Sequence, residues 1–177
     1  MMGKREIAVK LLGVLAVGLM LAGPVSAQEW LPLAEHADAW ERFIAAYEAG
    51  DYATVLQELP PLAEHGDPMA QFFLGIMYND GQGVLKNYAE ASKLYRLAAK
   101  QGMREAQFYL ALMYAKGKGV PQNDVLAHMW WNIAGANGHT KGAELRDTIE
   151  TRMTPEQIAE AQALARRCMA SDYQDCD

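Results

Sequence analysis

Asp67–Gly102 reads DPMAQFFLGIMYNDGQGVLKNYAEASKLYRLAAKQG, and Met103–Gly138 reads MREAQFYLALMYAKGKGVPQNDVLAHMWWNIAGANG. The two 36-residue stretches align without a gap and match at 13 positions, from Ala70/Ala106, Gln71/Gln107 and Phe72/Phe108 through to Ala98/Ala134 and Gly102/Gly138. A period in the mid-thirties with helical spacing inside it marks stacked helix pairs, each too small to bury its own apolar face alone. The chain is therefore expected to be all-α.

Each unit spells out a helical hairpin. Asp67-Pro68 supplies an N-cap and a first-turn proline. Ala70, Leu74, Met77 and Tyr78 then recur on one side of a helix. Asn79-Asp80-Gly81-Gln82-Gly83 breaks it, because glycine tolerates backbone angles that other residues resist. Val84 plugs the turn, and Asn87 with Glu90 caps a second helix whose buried stripe is Ala91, Leu94, Tyr95 and Ala98. Gly102 stops it. The next unit repeats the plan with Asn123 as cap and Ala127, Trp130, Trp131 and Ala134 as stripe. Small residues at close approaches, such as Gly75, Ala99 and Ala111, alternate with Tyr78, Tyr95, Tyr114 and Trp131, as a dense core requires.

Working outward, residues 28–66 are expected to form a degenerate N-terminal hairpin. Its helices would be Trp40–Ala49 and Tyr52–His65, joined at Gly50-Asp51, with Pro60-Pro61 kinking or shortening the second. Residues 139–177 read as C-terminal capping helices and a tail. His139–Thr151 forms one helix, and Thr154-Pro155-Glu156-Gln157 is a capping box that opens another running to about Ala170.

Residues 1–27 read as a cleaved signal peptide. Lys4, Arg5 and Lys10 precede the uncharged apolar run Leu11–Ala22, and Val25-Ser26-Ala27 offers small residues for cleavage near Ala27. The run would rise only about 18 Å as a helix, against roughly 30 Å of bilayer core. Retention as an anchor is the alternative. The mature chain would be periplasmic or secreted, with no membrane insertion. Removing three basic residues and one acidic residue takes 16 against 22 to 13 against 21, a mature net charge of −8. Nucleic-acid binding needs the opposite field and is excluded. Cys168 and Cys176 are the two cysteines. In an exported chain an even pair reads as a disulfide tying down the tail, with a metal site or reactive thiol as the rival readings.

The units resemble the Sel-1-like repeat family, relatives of the tetratricopeptide repeats. The pattern appears as Ala70, Leu74-Gly75, Tyr78, Gly81-Gln82-Gly83-Val84, Asn87, Ala91, Tyr95, Ala98-Ala99 and Gly102. It recurs as Ala106, Leu110, Tyr114, Gly117-Lys118-Gly119-Val120, Asn123, Ala127, Trp131, Ala134 and Gly138, departing at Ala111 and Gly135. The resemblance implies a right-handed α-α solenoid of stacked helical hairpins. It also implies an exported, non-catalytic scaffold that binds a protein or peptide, such as an envelope or signalling component, on its concave face. The alternative it leaves is a cell-wall-directed or β-lactam-type hydrolase, or a small-ligand binder. The pattern residues are structural, so none carries over as catalytic.

Direct signals of chemistry are sparse. His36, His65, His128 and His139 include no i, i+3 or i, i+4 pair, so no metal is expected. No phosphate loop, dinucleotide fingerprint or Gly-x-Ser-x-Gly occurs, and no cofactor is expected. Ser92 reads as a helix-surface residue without a base. First helices of such hairpins usually line the concave side. The positions there that the repeat pattern leaves over are Met69, Gln71, Phe73, Met77 and Asn79, then Glu105, Gln107, Tyr109, Met113 and Lys116. Phe73/Met77 and Tyr109/Met113 form matching pairs suited to an adaptable groove, unless they pack between layers.

Overall fold

The computed structural model describes residues 27–176, with side chains from Asp38 onward. Apart from Ala27, the leader expected over 1–27 lies outside the described residues. Among those residues there are eight helices and no strand: α1 Ala27–Ala49, α2 Tyr52–Glu64, α3 Pro68–Asp80, α4 Tyr88–Ala99, α5 Arg104–Lys116, α6 Asp124–Ala136, α7 Thr140–Glu150 and α8 Pro155–Ala170. The chain divides into two compact units between Leu59 and Pro60.

In the first unit Phe43, Val55 and Leu59 are buried, and Arg42 grips Glu58 through two hydrogen bonds of 2.7 and 2.9 Å. Here α1 begins at Ala27 rather than at Trp40. The helix α2 runs through Pro60 and Pro61 to Glu64, so the prolines do not shorten it.

The second unit is built from local chemistry repeated in register. Asp67 accepts from the Met69 and Ala70 amides at 2.8 and 3.0 Å, Asn87 from Glu90 at 3.1 Å, and Asn123 from Leu126 at 3.0 Å. These caps satisfy amides that have no partner inside the helix. Gly81 and Gly117 end α3 and α5 in the left-handed region. The turns that follow are closed by Asn87 N–H to the Tyr78 carbonyl at 2.9 Å and Asn123 N–H to the Tyr114 carbonyl at 3.0 Å. Thr154 and Gln157 complete the expected capping box.

Packing explains the sequence of α6. It lies against α5, α7 and α8, and its stretch from Ala127 to Trp131, together with Ile133 and Ala134, is buried. A helix covered on several sides is apolar on several sides. His128, fully buried among these residues, bonds through Nε2 to Glu150 Oε1 at 2.7 Å. In the preceding repeat Tyr95 occupies the position of Trp131, and its ring lies over Gly75, where a Cβ would stand 2.7 Å from Tyr95 Cε1.

The repeats are joined by a buried amide ladder. Gln71 Nε2 donates to the Ala63 carbonyl at 3.1 Å and Gln107 Nε2 to the Ala99 carbonyl at 3.2 Å, the same bond one period on. Gln101 donates to Gln71 Oε1 at 2.9 Å, and Asn137 donates to Gln107 Oε1 at 2.9 Å. Ser92, expected at the surface, is also buried. Its hydroxyl bonds to the Ala89 carbonyl at 2.8 Å and reaches the Gly119 carbonyl at 3.4 Å.

Cys168 and Cys176 form the expected disulfide, both buried. The tail between them turns through Asp172 and Tyr173, both with positive φ. The Tyr173 hydroxyl meets Asn137 at 3.0 Å, and its ring lies beside Gly102.

Candidate functional site

The first helices α3 and α5 place the predicted binding residues in two environments. Gln71, Phe73, Met77, Gln107 and Met113 are buried, which corrects their assignment to an open groove. The two glutamines serve the ladder, and the two methionines and Phe73 fill the core. A first helix is covered by its own hairpin partner and by neighbouring hairpins, so little of its circumference stays open. Met69, Glu105 and Tyr109 remain half-exposed.

The open strip therefore keeps Asn79, Glu105, Tyr109 and Lys116 from the expected set and gains neighbours that the set did not contain. On α5 it comprises Glu105, Phe108, Tyr109 and Leu112, with exposed Lys116 at its end. On α3 the same register positions as Leu112 and Lys116 hold half-exposed Ile76 and exposed Asp80, with half-exposed Asn79 beside them. Glu105, Phe108, Leu112 and Lys116 stand at steps of three or four, the spacing of one helical face. Phe108, Leu112 and Ile76 were not singled out from the sequence, although their spacing relative to Glu105 and Asp80 carries that signal.

Aromatic contacts hold this strip. Tyr109 meets Phe72 at 5.6 Å, Tyr95 at 5.4 Å and Phe108 at 5.5 Å between ring centroids. Phe108 in turn stacks on His139 at 4.2 Å with an interplanar angle of 13°. Such pairs contribute about 0.5–1.5 kcal/mol each beyond area burial. Burial, reinforced by Tyr109 and then by Asp80, pushes the Tyr95 phenol far above its ordinary value. Tyr109 is raised by burial and then by Asp80. Both remain neutral hydroxyls at any physiological pH.

His139 caps α7, its Nδ1 accepting from the Gly142 amide at 3.1 Å, which requires an unprotonated Nδ1. Burial lowers its pKa from 6.5, with Glu105 opposing. The folded state therefore resists protonation more than the unfolded chain does, and stability from this group is present above the unfolded value. It is lost as pH falls through 6.5 toward the lower folded value. Melting midpoints should drop on acidification more in the wild type than in His139→Asn, whose amide oxygen keeps a cap at low pH. Equal acid sensitivity in both would show that His139 does not report on folding.

No group of three or more His, Cys, Asp or Glu among the described residues is gathered to hold a metal ion, and no helix among them is long and apolar enough to cross a membrane. An open cleft of about 630 Å³ lies where the start of α6, at Gln122–Leu126, faces Gln157, Glu160 and Leu164 of α8.

Helix pairs in strict register, joined by glycine turns and an inter-repeat amide ladder, define a helical-repeat solenoid. The Sel1 repeat family matches residues 68–103 and 104–139, so the chain carries two Sel1 repeats over that stretch. A similar solved structure is a protective antigen of uropathogenic Escherichia coli strains displaying an SLR fold. It is 27% identical with a TM-score of 0.72, over 79% of this chain and 32% of the antigen. Another is a Sel1 repeat protein from Oxalobacter formigenes, 28% identical with a TM-score of 0.60, over 76% of this chain and 61% of that protein. The chain thus spans less than two thirds of either relative. No curated protein matches it. Sel1 repeats generally serve as scaffolds for protein interaction.

Proposed function

We propose that this protein is an exported, non-catalytic scaffold that holds a protein or peptide partner along the concave face formed by α3 and α5. The observation that carries this reading is the half-exposed strip of Phe108, Tyr109, Leu112 and Ile76. It is anchored on rigid elements by stacked rings and the amide ladder beneath, and a preorganised aromatic strip loses little side-chain entropy on binding. Residues 28–66 and 139–177 would flank the two repeats as N-terminal hairpin and C-terminal cap. The Cys168–Cys176 pair supports an oxidising compartment, which agrees with loss of a leader near Ala27.

A photo-crosslinking residue placed at Leu112 in the native organism tests the reading. It should capture a discrete protein band that the same probe at Glu156, exposed on α8, does not. Identical capture from both positions, or none from Leu112, would sink the assignment of this face. The exported chain should begin at Gln28 when sequenced from its N-terminus.

A further inference from the structure

The open face combines an aromatic ring with a carboxylate, and that combination suits a cation. Tyr109 is half-exposed and fixed from beneath by Phe72 and Tyr95. Tyr95 is fully buried against it, with a hydroxyl that has no hydrogen-bond partner. Asp80 is exposed at the end of α3, about two turns beyond Phe72, whose ring meets Tyr109 at 5.6 Å, and the Asn79 amide donates to its Oδ1 at 2.6 Å; its charge also raises both phenols. Glu105 lies one turn before Tyr109 on the same strip, paired with Arg104 at 2.9 Å.

The contrast with the other tyrosines is informative. Lys118 Nζ sits over the Tyr88 ring at 4.8 Å, and the Arg96 guanidinium sits over Tyr114 at 5.8 Å. Among the described residues no lysine or arginine of the chain lies over Tyr109. A cation above an aromatic face is attracted by the ring quadrupole, and a nearby carboxylate strengthens the attraction.

We propose that the partner is a basic peptide segment whose arginine lies on Tyr109 and is neutralised by Asp80, with apolar neighbours against Ile76 and Leu112. This rests on the reading of the α3–α5 face as the binding surface. Arginine fits better than lysine, because its planar guanidinium stacks on a ring while its remaining donors reach a carboxylate. The mature chain's surplus of 21 acidic over 13 basic residues favours encounter with a basic partner.

The test uses the full mature protein and short synthetic peptides, identical but for one central residue flanked by leucines: arginine, norleucine or glutamate. Calorimetry should show the arginine peptide binding about tenfold more tightly than the norleucine peptide, an advantage reduced by added salt. Amide shifts should centre on Tyr109. Asp80→Asn and Tyr109→Leu should each weaken the arginine peptide by about threefold to tenfold and the norleucine peptide by less, so that the advantage of arginine shrinks. Both substitutions lie on the open strip, and unchanged circular dichroism will confirm folding. Equal binding of the norleucine peptide, with shifts still on α3 and α5, would overturn the arginine site and leave the face standing. Free arginine binding as tightly as the peptide would overturn the peptide partner. Shifts from no peptide, or shifts elsewhere only, would overturn the face as well.

Discussion

Gly119→Val is expected to destabilise the fold by about 4 kcal/mol or more, a large share of the roughly 5–15 kcal/mol that holds a typical domain together. Gly119 has a φ of 71°, and a Cβ there would stand 2.0 Å from the Tyr88 carbonyl oxygen, 2.3 Å from its carbon and 2.7 Å from the Ala89 nitrogen. Every one of these atoms is backbone, so no side chain can swing aside. Either the glycine turn lifts off the start of α4, or α4 shifts and disturbs the Asn87 cap and the Ser92 contact. A left-handed conformation costs a β-branched residue about 1–2 kcal/mol in addition. Gly50→Ala is the control. It has the same backbone class, φ 74°, but nothing stands within 4 Å of its added carbon, so it should lose only about 1 kcal/mol. Urea unfolding of the three proteins separates steric from conformational cost. Wild-type stability in Gly119→Val would show that the turn does not seat on α4.

How much of this was legible beforehand follows from which interactions are local. Asp67, Asn87, Asn123 and Thr154 act within a few residues of themselves, and so do Gly81 and Gly117, so caps and turns stood plainly in the sequence. The 36-residue register gave the hairpins, and two cysteines near the end left one pairing. Which face of each first helix stays open was not legible, because contacts between repeats decide it. Gln71 and Gln107 look like surface amides when taken singly. Their partners, Gln101 and Asn137, stand 30 residues away. A signal was present: glutamine recurs at one register position, and an amide recurs at the other. Ser92 misled for the same reason, since what buries it is the glycine turn of the following repeat. The prolines of α2 carry their full cost only in an isolated helix, and burial of the adjoining Leu62 and Ala63 opposes it.

Reduction of the Cys168–Cys176 bridge is the second large effect, an expected loss of about 2–3 kcal/mol in the chain-entropy picture for so short a loop. The sequence separation is eight residues, and both cysteines are buried, so opening the bond also releases packed sulfur. The tail has its own reason to leave once untethered. Asp172 and Tyr173 adopt φ values of 52° and 63° without being glycine, each disfavoured by about 1–2 kcal/mol. What holds them is the Tyr173 amide on the Cys168 carbonyl at 2.8 Å, the Tyr173 hydroxyl on Asn137, and the covalent bond. Without the last, the first two must offset the backbone strain with help only from weaker local bonds, such as the Asp172 amide on the Met169 carbonyl at 3.2 Å and the surface Arg167–Asp175 pair at 3.0 Å. The melting midpoint should therefore fall by about 5–10 °C in reductant. Amide exchange should accelerate across residues 169–176 before it does in α6, because the tail lies at the low-stability edge of the structure. Asn137 would lose Tyr173 but keep Gln107, so the amide ladder should stay protected. A midpoint indifferent to reductant, with slow exchange retained in the tail, would show that the tether contributes nothing to stability in solution.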